Sequence, residues 1–223
     1  SFFFLAGIGI LYFNTGILDF NALSNVVPDL SLTKKNLIFS FILVAIGVKI
    51  GLIPFHTWLP DAHVSAPDPM TAVLAGVTVK TGAYILIKFL KIGFFTNFVQ
   101  NVFIILGLST AFIGVIISFN YFDIKRILAW HTISQMGMIT TVLILWTPLS
   151  VSAGIFHLIN HALFKTLLFL SAGGMIYLYG TRDIRKLPLL HSDPILVGSF
   201  LIGIFSMIGV PPLNGFYSKA LIL

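Results

Sequence analysis

Apolar stretches of about 20 residues recur along the chain, each apolar all round rather than along one stripe, which is the pattern of membrane-spanning helices. The first lies in SFFFLAGIGILYF. Further spans are predicted at about 37–55, 70–92, 101–120, 127–147, 152–179 and 194–210. Short polar punctuation separates them: Asn25 to Lys35 with Pro28, PFHTWLPDAHVSAPDP from Pro54 to Pro69, Thr147-Pro148, and the run from Gly180 to Pro194. The prediction is an all-α polytopic bundle of about seven spans, with consecutive helices as antiparallel neighbours. Trp58, Trp130 and Trp146 fall near predicted span ends, where amphipathic rings anchor at the headgroup level.

Composition supports this reading. Of 223 residues, 57% are apolar and 9% charged, against about 25% charged in soluble domains. Cysteine is absent, which excludes thiolate-held iron–sulfur clusters, CxxCH haem attachment and disulfides. No cofactor or metal is expected in this chain, and any electron transfer belongs to other subunits. All seven acids are Asp, against thirteen Lys and Arg. The cations are scattered between apolar runs without forming a patch, so no nucleic-acid partner is expected. Five basic residues (Lys34, Lys35, Lys88, Lys91, Lys219) fall on one side and five (Lys125, Arg126, Arg182, Arg185, Lys186) on the other, so charge bias does not orient the chain. The chain opens on Ser1 inside one apolar run and stops inside another. It is expected to be one transmembrane domain from a longer protein.

Ionisable residues inside spans mark candidate chemistry, because each costs about 2.5–3.5 kcal/mol at a helix centre on insertion scales. Lys80 sits mid-span in MTAVLAGVTVKTGAYILIKFL, too deep to snorkel. Gly76 and Gly82 flank it, beside Thr78 and Thr81, so a local break in the helix is expected there. The stretch HLINHALFKTLLFL places His157, His161 and Lys165 at i, i+4 and i+8, one face climbing about 6 Å per step. A proton can pass between such steps through one or two waters, and imidazole both accepts and donates near neutral pH. Zinc binding by HxxxH competes with this reading but lacks the Glu of HExxH, and simple hydrogen bonding of the two His to neighbouring helices leaves Lys165 unexplained. Weaker candidates are Lys49, near enough to a span end to snorkel, and His56, Asp61 and His63 in the Pro-bounded loop, which is either solvated or folded back beside Lys80.

The wording of the motifs narrows the choice. PFHTWLPDAHVSAPDPMTAVLAGVTVKTGAY, then FDIKRILAWHTISQMG, HLINHALFKTLLFLSAG, TRDIRKL and GVPPLNGFYSK, in that order over residues 40 to 220, resemble the antiporter-like membrane subunits of respiratory complex I. The same family includes large subunits of Mrp-type sodium/proton antiporters and of membrane-bound hydrogenases. The resemblance implies two inverted repeats, the first ending near residue 120 and the second starting near 121, each with a broken helix and half of an ion path. It matches Lys80 to the family's broken-helix lysine. It places the glutamate partner of that lysine before Ser1, and the second broken helix with its terminal Lys or Glu beyond Leu223. The span at 101–120 lacks the ionisable group that several relatives carry, leaving water held by Ser109, Thr110 and Ser118 as a substitute.

The implied function is proton translocation through Lys80, His157, His161 and Lys165, as a membrane subunit of an NADH:quinone oxidoreductase-type translocase without a redox centre of its own. An Mrp-type sodium/proton antiporter subunit is the alternative, and a non-transporting scaffold the second. Implied partners are other membrane subunits, peripheral redox subunits carrying flavin and iron–sulfur clusters, protons or sodium, and the lipid bilayer. The implied location is a prokaryotic cell membrane, or a mitochondrial or plastid membrane for an organelle-encoded chain.

Overall fold

The computed structural model describes residues 2–94, 96–187 and 193–222, and the part of the Gly180–Pro194 run at 188–192 lies outside them. The described residues are built of helices: α1 (Phe2–Thr15), α2 (Phe20–Val26), α3 (Leu32–Ile50), α4 (Trp58–Ser65), α5 (Asp68–Val73), α6 (Lys80–Phe89), α7 (Asn97–Ser118), α8 (Ile124–Ile144), α9 (Pro148–Tyr179), α10 (Pro194–Ile208) and α11 (Asn214–Ala220). Four helical stretches among them are long and apolar enough to cross a membrane, namely 68–94, α7, α8 and α9, or five if the bent pair at 2–29 is one span. The other predicted runs correspond to shorter or interrupted helices: α3 with its three lysines and the 15-residue α10.

Local chemistry sets the ends. Asp123 accepts from the amides of Lys125 and Arg126 to start α8, Thr147 and Ser150 form a reciprocal capping box for α9 with Pro148 at its first position, and Asp193 caps α10 ahead of Pro194. The loop after α9 returns to the start of α8: Ile124 N donates to Arg182 O at 3.0 Å and Ile184 N to Phe122 O at 3.0 Å.

Faces sort as a bilayer requires. On α7, Ile105, Leu108, Phe112 (75% exposed) and Ile116 point outward, while Phe103, Gly107, Thr110, Gly114 and Ser118 are buried. The small residues let α7 press on α8: a Cβ on Gly137 would stand 2.6 Å from Gly107 O. Trp130 departs from its predicted anchoring role. It lies within α8, 7% exposed, because that helix is enclosed on most sides and its apolar sequence does not reveal which residues face lipid.

Two interruptions of a span share one wiring. After α3, Gly51 takes φ 82°, and the amides of Gly51 and Leu52 both donate to Gly47 O at 2.9 Å; after Phe55 N meets Leu52 O the chain restarts as α4. After α10, Gly209 takes φ 91°, the amides of Gly209 and Val210 both donate to Phe205 O at 2.9 Å, Leu213 N meets Val210 O, and α11 follows. A left-handed residue closing a helix in this manner favours glycine. The segments are IGLIPF and IGVPPL, 158 positions apart, with the X-Pro peptide cis in each. They cross in opposite directions. Asn36 at the start of α3 meets Thr96 at the start of α7, and Asp61 on α4 faces Arg126 at the start of α8; α10 begins beside the end of α9, where Gly174 packs on Leu196, and α11 reaches back to His157. The expectation that a second broken helix lies only beyond Leu223 is therefore corrected: 194–220 already forms one, because Gly209 ends α10 and Pro211 and Pro212 cannot continue it.

Candidate functional site

The site is built where α6, α8, α9 and α11 meet. The helix expected to break at Lys80 instead runs unbroken over 68–94, because the π turn at Leu74–Thr78 only widens its ladder, and the break falls at Gly51, two residues after Lys49; Lys80 Nζ donates to the carbonyl of Ala75 inside that turn. Glycines on either side admit two neighbours. A Cβ on Gly76 would collide with Thr166 of α9, and one on Gly82 would lie 3.3 Å from Lys49 Cβ at the end of α3. Lys80 thus stands at a crossing of three helices, 8% exposed, with half-buried Lys49 close by. A groove of about 300 Å³ beside it is lined by Val77, Tyr84, Leu158 and Ala162.

On α9 the predicted ladder is present. The rings of His157 and His161 are 6.3 Å apart. His157 is buried, donating from Nε2 to Gln135 Oε1 at 3.0 Å and accepting at Nδ1 from Ser218 Oγ at 2.9 Å, so it ties α8 to α11. Both ring nitrogens of His157 are thus engaged by protein partners. His161 is buried with neither nitrogen partnered by protein among the described residues, its ring edge-on to Phe164 at 5.2 Å. Lys165 is fully buried near the middle of α9, and its Nζ donates to Leu128 O of α8 at 2.9 Å. Lys80, Lys165 and Lys219 all lie within electrostatic range of His161.

The weaker candidates separate. His56 lies in the first break, its ring 5.2 Å from Trp130. His63 on α4 is buried, stacked on Phe169 at 4.7 Å. Asp61 stays out of the interior, exposed at 3.4 Å from Arg126. Ser109 and Ser118 spend their hydroxyls on carbonyls of α7, and Thr110 Oγ1 accepts from Ile53 N at 2.9 Å, satisfying an amide freed by the first break.

Three features were missed from the sequence. Lys219, counted only as a charge near a span end, donates across the second break to Met207 O at 2.6 Å and Ile208 O at 3.3 Å, a cation on the carbonyl end of α10. His131 on α8 lies within electrostatic range of both Lys165 and Lys219. Lys125, counted only in the charge balance, is buried and paired with Asp68 at 2.5 Å. The repeated IG-x-x-P was the available signal for the first of these.

Opposed broken helices around a buried row of lysines and histidines define a helical membrane protein with ionisable groups inside its bundle. The profile of the "NADH:quinone oxidoreductase/Mrp antiporter, TM" family matches residues 1–223, and the chain belongs to that family. It is 36% identical to an Na(+)/H(+) antiporter subunit of Alkalihalophilus pseudofirmus and 31% identical to an NADH-quinone oxidoreductase subunit of Rickettsia prowazekii, covering 100% of this chain and 46% of each relative. Among solved structures it is similar to a chain of the Mrp complex from Dietzia sp. (TM-score 0.90, 28% identity, 99% of this chain and 41% of that one) and of an archaeal membrane-bound sulfane sulfur reductase (TM-score 0.88, 30% identity, 99% and 46%). The chain therefore spans less than half the length of these relatives. It is an antiporter-like integral membrane subunit of the complex I and Mrp family.

Proposed function

We propose that this chain supplies part of the proton path of an antiporter-like subunit in an energy-converting membrane complex of the NADH:quinone oxidoreductase type. The observation that carries the reading is Lys165: fully buried at mid-span, held by one carbonyl, and beside a histidine whose two nitrogens have no protein partner among the described residues. A lysine kept only to bind helices together would be paired with a carboxylate. An amine in low-dielectric surroundings instead gains or loses its proton according to the charges brought near it. The proposed order is Lys80, His161 and Lys165, with His157 and Ser218 leading toward Lys219 and water bridging at His161. Electrons and their carriers, flavin and iron–sulfur clusters, belong to peripheral subunits, and this chain serves the enzyme only as its membrane translocase part.

The test is Lys80→Ala in the intact complex in native vesicles. Coupled pumping is expected to be lost while the complex still assembles; pumping at the wild-type level would sink the proposal. The likeness to the Na(+)/H(+) antiporter of Alkalihalophilus pseudofirmus supports a second reading, sodium/proton exchange through the same residues. Proton-coupled sodium flux without NADH oxidation separates it from the first. A scaffold role predicts that Lys165→Met leaves transport intact.

A further inference from the structure

On α9 the polar ladder stops at Lys165, yet the same face continues toward the membrane surface at Phe169 and Gly173, one turn each. Two side chains from the neighbouring helices occupy these steps. His63 of α4 lies flat on Phe169, ring planes 6° apart, fully buried, with both Nδ1 and Nε2 lacking any protein partner among the described residues. Asp68, the first residue of α5, packs on Gly173, where a Cβ would stand 2.5 Å from Asp68 Cβ. Its carboxylate meets buried Lys125 at 2.5 Å, and the same Nζ donates to Ala66 O at 3.1 Å. The Asp68 side chain is 31% exposed and that of Lys125 4%, so the pair has one foot at the surface and one inside. His63 lies within electrostatic range of Lys165, Lys80 and Lys125. A buried imidazole without a protein partner calls for water.

We infer that Asp68–Lys125 and His63 form the outer end of the proton path, connecting Lys165 to the membrane face where α8 begins and α9 ends. The inference rests on the proposed translocation through Lys165. In this route Asp68 takes a proton from surface water and lets go of Lys125. Water carries the proton to one nitrogen of neutral His63, the other nitrogen releases its own, and the neutral amine of Lys165 becomes the ammonium. Asp68 and His63 each pass on one proton for the one they take up, and Lys165 ends with the net added proton, with no redox partner. The charges facing Asp68 at that surface are Lys125, with Asp61, Arg126 and Asp123 beside it.

The experiment uses the intact complex in vesicles, with Lys80→Ala as the control for translocation itself. His63→Phe keeps an aromatic ring against Phe169 but carries no proton, and is expected to lower the translocation rate at least tenfold with the complex assembled. Asp68→Asn is expected to change how the rate responds to pH on the α8-start side while leaving its response to the opposite side as in the wild type. His63→Phe pumping like the wild type overturns the inference; if Lys80→Ala still abolishes pumping, the translocation reading survives that failure. Should His63→Phe not assemble, Asp68→Asn decides: an unchanged pH response on the α8-start side overturns the inference.

Discussion

The hydroxyl of Ser218 meets Nδ1 of His157 at 2.9 Å across 61 positions of sequence, joining the ladder on α9 to the far half of a broken helix. Removing one partner of a buried hydrogen bond leaves the other unsatisfied, at about 1–3 kcal/mol. Ser218→Ala is therefore expected to lower the thermal unfolding temperature of the complex, and Gln135→Leu to do so by a similar amount, since it strips the other nitrogen. Thermal melts of the detergent-solubilised complex check this, and unchanged melting for both variants would show that water replaces the lost groups.

Two ion pairs at one membrane face should behave differently. Arg126 and Asp61 are 3.4 Å apart, with the Asp61 side chain 76% exposed, and Arg126→Ala is expected to change stability by about 1 kcal/mol or less. Asp68→Ala strands the buried ammonium of Lys125 and is expected to cost about 3 kcal/mol. Two double-mutant cycles, Asp61→Ala with Arg126→Ala and Asp68→Ala with Lys125→Met, measure the couplings, expected to be weak for the first pair and strong for the second.

The glycines that end α3 and α10 sit at φ 82° and 91°. An L side chain there costs about 1–2 kcal/mol. Gly51→Ala and Gly209→Ala should each destabilise by about that amount, whereas Gly198→Ala, a helical position with open space around it, should be neutral or stabilise by about 1 kcal/mol. Comparative melting of the three variants tests the assignment.

In the loop after α9, Arg185 donates from its side chain and backbone to Asp183 and holds that carboxyl down to about 2, against an ordinary value of 3.8. A carboxylate whose value is lower in the folded loop favours folding above 3.8, and that contribution fades as pH falls through about 2. Arg185→Ala should move the midpoint up toward 3.8, read from the Asp183 carboxyl resonance; an unmoved midpoint would mean that Arg185 is not the cause.

The α9 ladder was legible because a helix turns four-residue spacing directly into one face, and the structure keeps His157, His161 and Lys165 buried together. The long spans were legible from apolar length alone. The break at Gly51 was not, because IGLIPF has the composition of the helix it interrupts and reads as part of the span to residue 55. Its counterpart IGVPPL shares only Ile, Gly and the second Pro, a match too short to stand out until the shared hydrogen bonds pick out IG-x-x-P. Asp68 and Lys125 are 57 positions apart and each lies at a helix start, where local context argues for solvation; only the packing of α5 on α9 and of α4 on α8 reveals the pair. Trp130 was misplaced because uniform hydrophobicity marks a span but not its lipid-facing side.

The two crossings built on IGLIPF and IGVPPL use one backbone recipe in opposite senses through the same bilayer. The carbonyl end of α3 and the carbonyl end of α10 therefore point into the membrane from opposite faces, so each side of the bilayer sends one freed helix end inward.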